Sequence, residues 1–528
     1  MWKVGSFPGE NICTPCIPRL HPPRTDGHHE PQRTLVTGTP TPSDRAPETA
    51  DTGPEPRADR LVIPLLLVSA FVVILNETIM GVALPALNKD LGISVSTGQW
   101  LTSAFMLVMA VVIPATGYLL QRFHVRQVFI AAMSLFTLGT LLCFLAPGFA
   151  FLLMGRVVQA VGTAIMMPLL MTTILNTVPA ERRGRTMGNI SIVMSVAPAV
   201  GPTLAGLILS VLDWRWMFGL VLPIALLGLT LGALFIRNVT EPRPSTIDMF
   251  SVLISAFAFG GLVYGFSSLG GHGGGPIPPQ LAIGIGAVAL VVFVWRQIRL
   301  QRDERALLDL RVFRSTQFSI SIGLVAVSFM ALFGTLILLP LYMQNVLEYD
   351  TLATGLALLP GGLTMGLIAP FVGRLYDKLG PRPLVIPGAA LVSAILWAMT
   401  TFDTQTPLGF IIATHVMLTI GLGLMFTPLL TGALGSLTPQ LYSHGSAVVG
   451  TVQQVAGAAG TAAFVAVMAA STAGYLGDGL PETEAMAGGI HVAFLLGASI
   501  SVLAFAATFF VRRAAAGTGE VPAAAAAH

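Results

Sequence analysis

Between Leu61 and Val511 the chain passes through fourteen apolar stretches, near 61–85, 99–120, 127–146, 149–176, 187–212, 216–236, 249–269, 280–297, 317–343, 353–375, 383–401, 408–433, 446–471 and 489–511. A hydrocarbon layer about 30 Å thick is crossed by roughly 20 helical residues. Lipid offers the backbone no hydrogen-bond partner, so such stretches must close their hydrogen bonds within a helix. Only 10% of the 528 residues are charged, against about 25% in soluble domains, and the mean hydropathy is +0.78. The expectation is an all-α integral membrane protein with fourteen spans, the shortest at 280–297.

The loops test that count. An even number of spans returns the chain to its starting side, and Lys and Arg concentrate in cytoplasmic loops. Alternate loops read "QRFHVR", "ERRGR", "RNVTEPRPSTID", "RQIRLQRDERALLDLRVFR", "GRLYDKLGPR" and "TPQLYSHG", and all but the last carry Lys or Arg. Of the 28 lysines and arginines, only Lys89 and Arg215 fall in the other set of loops, and only Arg156 falls inside a span. A missing span would scramble this alternation. Both termini are therefore expected in the cytoplasm, with the acidic stretch "GYLGDGLPETEAMAGG" outside the cell membrane.

Residues 1–60, rich in Pro, Thr, Arg and Asp, have no apolar periodicity and are expected to form a disordered cytoplasmic tail. A second tail follows from 512 to 528. The core contains a repeat. "GYLLQRFHVR" from Gly117 and "GRLYDKLGPR" from Gly373 share Gly, Leu, a base and Arg at the same places, including Arg122 and Lys378, then Arg126 and Arg382. The copies lie eight spans apart, so two six-span halves are separated by two extra spans. The expected divisions are a bundle at 61–236, an inserted pair at 249–297, a cytoplasmic linker at 298–316 and a second bundle at 317–511. Paired halves around a central site are the plan of secondary transporters.

Polar residues inside spans are costly and select the candidate site. An acid at the centre of a membrane helix costs about 2.5–3.5 kcal/mol on insertion scales. Asn76 and Glu77 interrupt the first span. In a medium of low dielectric a carboxyl favours its neutral form, so Glu77 is suited to loading and releasing a proton or holding substrate. Locked in hydrogen bonds, it would instead fasten helices together. Arg156 stays charged and needs a partner or water. It either biases a nearby acid or bonds carbonyls to fix the fourth span against the first, and Gln159 lies one turn on. In the fifth span, Ala197, Gly201, Ala205 and Gly206 read as a small-residue face for close helix contact. Pro198 and Pro202 each remove a donor and favour a bend, so the segment is either a gating element or a tight packing face. The repeated loops, with Asp377 and Gly380 in the second copy, either latch neighbouring helices or only anchor them. His415, Gln453 and Gln454 are polar at membrane depth and are candidates for a substrate pathway, although a packed, hydrogen-bonded role fits His415 as well.

Other chemistries find little support. The chain has three cysteines, too few for a disulfide framework. Cys13 and Cys16 form a lone CxxC upstream of His28 and His29, without a second pair to complete a zinc site. No Walker A sequence, HExxH zincin motif or Ser-His-Asp arrangement is present. The glycine-rich "GGHGGGPIPP" follows no strand and is expected to be an external loop. Neither an enzyme nor a metal site is expected.

Over residues 61–513 the chain resembles the major facilitator superfamily, and within it the fourteen-span drug:proton antiporters of the EmrB/QacA type, which include lincomycin-resistance proteins. The motifs are "LNETIMGVALP" in span 1, the two loop repeats, "GRVVQAVGTA" in span 4, "APAVGPTLAG" in span 5 and "DWRWMF" at the entry to span 6. The first loop departs from the pattern, with Gln121 for the usual Asp and His124 for the usual Gly, and the acid of span 1 is Glu77 where many members carry it at the place of Asn76. The resemblance implies a proton-coupled exporter of amphipathic or cationic organic compounds. The alternative is an exporter of one dedicated metabolite, lipid or siderophore. It further implies that Glu77 exchanges a proton against substrate with Arg156 beside it, and that the span-5 motif marks export. No cofactor is expected, because the proton gradient drives transport. The partners would be lipid, a small molecule and protons, without nucleic acid, and the monomer would be the working unit.

Overall fold

A computed structural model describes residues 59–238, 248–269, 277–303 and 305–511. The two tails, the CxxC with its histidines, and most of the glycine-rich loop lie outside these residues. Fourteen helices are long and apolar enough to cross a membrane, and no strand occurs among the described residues. The first six are α1 (Asp59–Leu91), α2 (Val95–Arg122), α3 (Val125–Phe144), α4 (Phe149–Thr177), α5 (Arg183–Val211) and α6 (Trp216–Phe235). Two more form the insert, α7 (Met249–Leu269) and α8 (Pro279–Leu300). The last six are α9 (Thr316–Asn345), α10 (Thr351–Leu379), α11 (Arg382–Met399), α12 (Leu408–Gly435), α13 (Tyr442–Gly477) and α14 (Glu482–Thr508).

Local signals set the ends. Side-chain oxygens of Ser94, Ser315 and Asp350 accept from Thr97, Phe318 and Ala353 amides at 3.1, 3.2 and 2.6 Å, closing the first turns of α2, α9 and α10. One loop is much shorter than its polarity suggested. Most of the acidic stretch is helical, and only residues 478–481 separate α13 from α14. Pro481 ends the turn, and Glu482 and Glu484 fall in the first turn of α14, where acids suit the helix dipole.

The basic loops gather at one end of the bundle, called the basic end below. There the two repeat copies perform the same tasks in the two halves. Arg126, opening α3, donates to the Ala233 carbonyl of α6 at 2.6 Å. Arg382, opening α11, donates to the Phe509 and Val511 carbonyls just beyond α14 at 3.1 and 2.7 Å. In each case a guanidinium satisfies carbonyls that a helix end leaves open. Gly117 of α2 lies against His444 of α13, and Gly373 of α10 lies against Gly184 of α5. Gln121 donates to the Gln440 carbonyl at 3.1 Å. Asp377, at the matching place, accepts from the Gly184 and Arg185 amides at 2.8 and 2.9 Å. His124 in place of glycine is accommodated because the first loop runs extended there, at φ −63°. Gly380 closes α10 at φ +81°, a left-handed conformation that disfavours any side chain.

The halves thus meet along two seams, α2 with α13 and α5 with α10. On the second seam Gly188 faces Ala369, Val196 faces Gly366 and Ala199 faces Gly362. Further bonds cross near the basic end: Thr172 to Ser446 at 3.2 Å, Arg183 to Tyr442 at 3.2 Å and Ser191 with Thr427 at 2.7 Å. The insert packs on α2 and α13. α7 widens to a π-turn at Ala256–Gly260, and Gly260 sits beside Leu107 and Val111 of α2.

Candidate functional site

The polar centre of the first half is built on a backbone contact between α3 and α4. A Cβ at Gly139 would strike the backbone of Gln159, one at Gly155 the Cys143 sulfur, and one at Gly162 the Phe136 backbone. With glycines at these contacts, the two helices approach closely and carry their polar groups at fixed separation. Arg156 is 1% exposed, among the most deeply buried large side chains. Its Nη1 donates to Gln159 Oε1 at 2.6 Å and to Asn76 Oδ1 of α1 at 3.4 Å. Gln159 Nε2 passes the chain on to Thr140 of α3 at 2.8 Å. The guanidinium lies 4.0 Å from the centroid of the Phe105 ring of α2, a cation–π contact that compensates part of its lost hydration. Its Nε has no hydrogen-bond partner.

Glu77 follows Asn76 on α1. It is half-buried, its charge interacts with that of Arg156, and no described residue gives it a hydrogen bond. The next residue, Thr78, donates to the Leu75 carbonyl at 2.9 Å and to the Ala197 carbonyl of α5 at 3.4 Å. Gly201 sits directly on the Thr78 side chain. The small-residue face of span 5 therefore meets α1 beside Glu77. Ala197, Gly201 and Ala205 are buried on it. Gly206 is not: it is exposed with no atom within 4 Å of a would-be Cβ. Successive helical residues point about 100° apart, so a face defined by 197, 201 and 205 turns 206 away. α5 continues as one helix through Pro198 and Pro202.

Asn76, Glu77, Arg156 and Gln159 are thus brought together. His415, Gln453 and Gln454 stand apart from them, on α12 and α13 of the other half. The His415 ring packs on Gly361 of α10, and its Nδ1 has no partner. Gln453 Nε2 is likewise unpartnered. Arg122 and Lys378 are exposed. Sequence reasoning missed Thr78, Phe105 and Thr140. The glycines at 155 and 162, flanking Arg156 and Gln159, were the available sign of a close helix pair.

Residues 66–461 match the family described as Major Facilitator Superfamily. The chain is 41% identical over 458 residues to "Lincomycin resistance protein LmrB" of Listeria monocytogenes, covering 86% of this chain and 97% of that protein. It is 37% identical over 456 residues to the protein of the same name from Bacillus subtilis, covering 85% and 95%. With "Multidrug resistance protein B homolog" of Mycobacterium tuberculosis it shares 30% identity over 413 residues, 76% of each chain. The fold resembles the crystal structure of the human organic anion transporter MFSD10 (TETRAN), with TM-score 0.60 and 15% identity over 86% of this chain and 100% of that one. Fourteen spans, two halves with one repeated loop, and matches over most of its length place this chain in the Major Facilitator Superfamily, among membrane transporters rather than enzymes.

Proposed function

We propose that the chain is a proton-coupled exporter that moves amphipathic or cationic organic compounds out of the cell by alternating access. The reading rests on Glu77: a half-buried carboxyl without a described hydrogen-bond donor, next to the charge of Arg156, on the helix that the span-5 face touches. Proton arrival removes the charge that Arg156 feels, and α5 adjoins the residue after the acid. On this reading a change of protonation state occurs beside a helix that also forms the α5–α10 seam. Each elementary charge moved through the membrane yields about 2.3 kcal/mol per 100 mV, and on this reading the proton gradient, rather than ATP or a bound cofactor, drives transport. Relatives named for lincomycin and multidrug resistance support drug-like cargo. The crowding of Lys and Arg at the basic end supports its facing the cytoplasm, with both termini on the cytoplasmic side of the plasma membrane. On this reading a single chain is the working unit.

The test is Glu77→Gln in proteoliposomes. Gln keeps the shape and much of the hydrogen bonding but cannot ionise. Uphill efflux driven by an imposed pH gradient should be lost, while substrate binding in detergent persists and no longer varies between pH 5 and 9. Undiminished uphill transport by the variant would refute the assignment. A substrate panel in the same assay separates broad export from export of one dedicated compound.

A further inference from the structure

The α2–α13 seam is the one whose repeat copy lacks the aspartate. Gln121 supplies a single hydrogen bond to Gln440 there, where Asp377 supplies two across the α5–α10 seam. It is also the seam that the insert covers: α7 packs on α2 and α13, and Tyr264 of α7 lies 6.1 Å from Trp100 of α2, centroid to centroid.

At the basic end a chain of polar groups, partly exposed at its start and buried beyond, links the insert to this seam. Asp248, capping α7, binds Arg296 of α8 at 2.8 and 3.0 Å and accepts from the Ser251 hydroxyl at 2.5 Å. Gln297 of α8 is fully buried. Its Nε2 donates to Ser251 Oγ at 2.8 Å, and its Oε1 accepts from the Leu307 and Leu308 amides of the linker at 2.8 and 3.3 Å. Leu307 of the linker in turn lies beside the ring of His444 on α13. His444 is 5% exposed, its Nδ1 has no partner, and that nitrogen faces Gly117 of α2, where any Cβ would collide with it. Asp309, 4% exposed and paired with Arg311 at 2.6 Å, fixes the next part of the linker.

We propose that the inserted helix pair straps the α2–α13 seam shut at the basic end, with Gln297 as the positioning residue that holds the linker against His444. Gln297 makes three hydrogen bonds between the two insert helices and the linker, and the linker lies against the residue that α2 rests on. Parting α2 from α13 at Gly117 uncovers His444 and pulls on the linker that Gln297 anchors. The strap takes the place of the latch that Gln121 provides only in part. It rests on alternating access, because it matters only if the halves separate at this end.

The test uses the full chain with Cys13, Cys16 and Cys143 replaced by alanine and spin labels at Phe123→Cys and Thr438→Cys, two exposed sites flanking the seam. Distances are measured by double electron–electron resonance in nanodiscs. Gln297→Leu should raise the open-to-closed ratio at least about five-fold, the change expected when 1 kcal/mol of stabilisation is lost. His444→Ala should do the same, and the double variant should go no further than either single one, because all three cut one chain. Gln297→Leu combined with Asp377→Asn should open more than either alone, since those sites serve different seams. His444→Ala decides the matter if Gln297→Leu fails to fold by size-exclusion chromatography. Unchanged ratios in the folded variants, or a double variant equal to the product of the singles, would overturn the strap. A wild type showing one short distance tells against alternating access. If the variants then open, the strap stands; if they too remain at that distance, both fall.

Discussion

Gly201 of α5 rests on the side chain of Thr78 of α1, one residue from Glu77, with no room between them for even a methyl group. Gly201→Leu should force α1 and α5 apart, at a cost of about 1–3 kcal/mol or more. Transport should fall at least ten-fold, because the displaced helix carries Glu77. Gly206→Leu, on the same motif but with nothing within 4 Å, should transport at close to the wild-type rate. Equal activity for both variants, measured as substrate efflux at matched expression, would show that the α1–α5 contact is not used.

Asp377 places its two oxygens on the first amides of α5. An acid at a helix N-terminus contributes about 1 kcal/mol through hydrogen bonding and the helix dipole. Asp377→Asn keeps one acceptor oxygen and loses the charge. The basic end should therefore open several-fold more readily, seen as faster thiol labelling of a cysteine at Ser191, buried against Thr427 of the other half, in the otherwise cysteine-free chain. Labelling at the wild-type rate would mean that the loop only anchors its helices.

Orientation is open to a direct check. Asp478, between α13 and α14, and Arg302, after α8, are both exposed. In intact cells, Asp478→Cys should react with a membrane-impermeant thiol reagent, and Arg302→Cys should react only after permeabilisation. The reverse pattern would invert the protein in the membrane.

The ion pair of the insert should show in acid. The Arg296 guanidinium bonded to Asp248, aided by Ser251, lowers the carboxyl pKa to about 2 from the ordinary 3.8. A depressed carboxyl contributes stability that is complete above its unfolded value and is lost as pH falls through the folded one. The window is therefore about pH 4 down to 2. The pair is partly exposed and screened, so its contribution is about 1 kcal/mol or less. Asp248→Asn should lower thermal stability in detergent at pH 6 and shrink the difference from wild type below pH 3. A constant difference from pH 6 to 2.5 would contradict this.

Much of the architecture was written in simple patterns. The apolar runs and the alternating charge of the loops specify the fourteen spans, because lipid penalises both a short helix and a misplaced arginine. Arg126 and Arg382 were recognisable as equivalents from spacing alone, and they bond equivalent helix ends. Gln297 and His444 were not legible as a pair. Their link runs through the linker, and nothing in a sequence marks which side chains a linker backbone will meet. Gly206 was misplaced for a different reason: a run of small residues does not declare which of them faces a neighbour, and one position on a helix is a turn of about 100°. The partners of Arg156 were half visible, Gln159 by its helical spacing and Asn76 only once α1 was seen to cross α4.

The two hydrogen bonds on Arg156 Nη1 differ in length, 2.6 Å to Gln159 and 3.4 Å to Asn76. The short one lies within α4, which is bolted to α3 by glycine contacts, so it stays when anything else shifts. The long one spans to α1 and stands near the outer limit of a hydrogen bond. A drift of α1 by half an ångström breaks or tightens it. The pair works as a feeler gauge, one jaw fixed and the other riding on the helix that carries the acid.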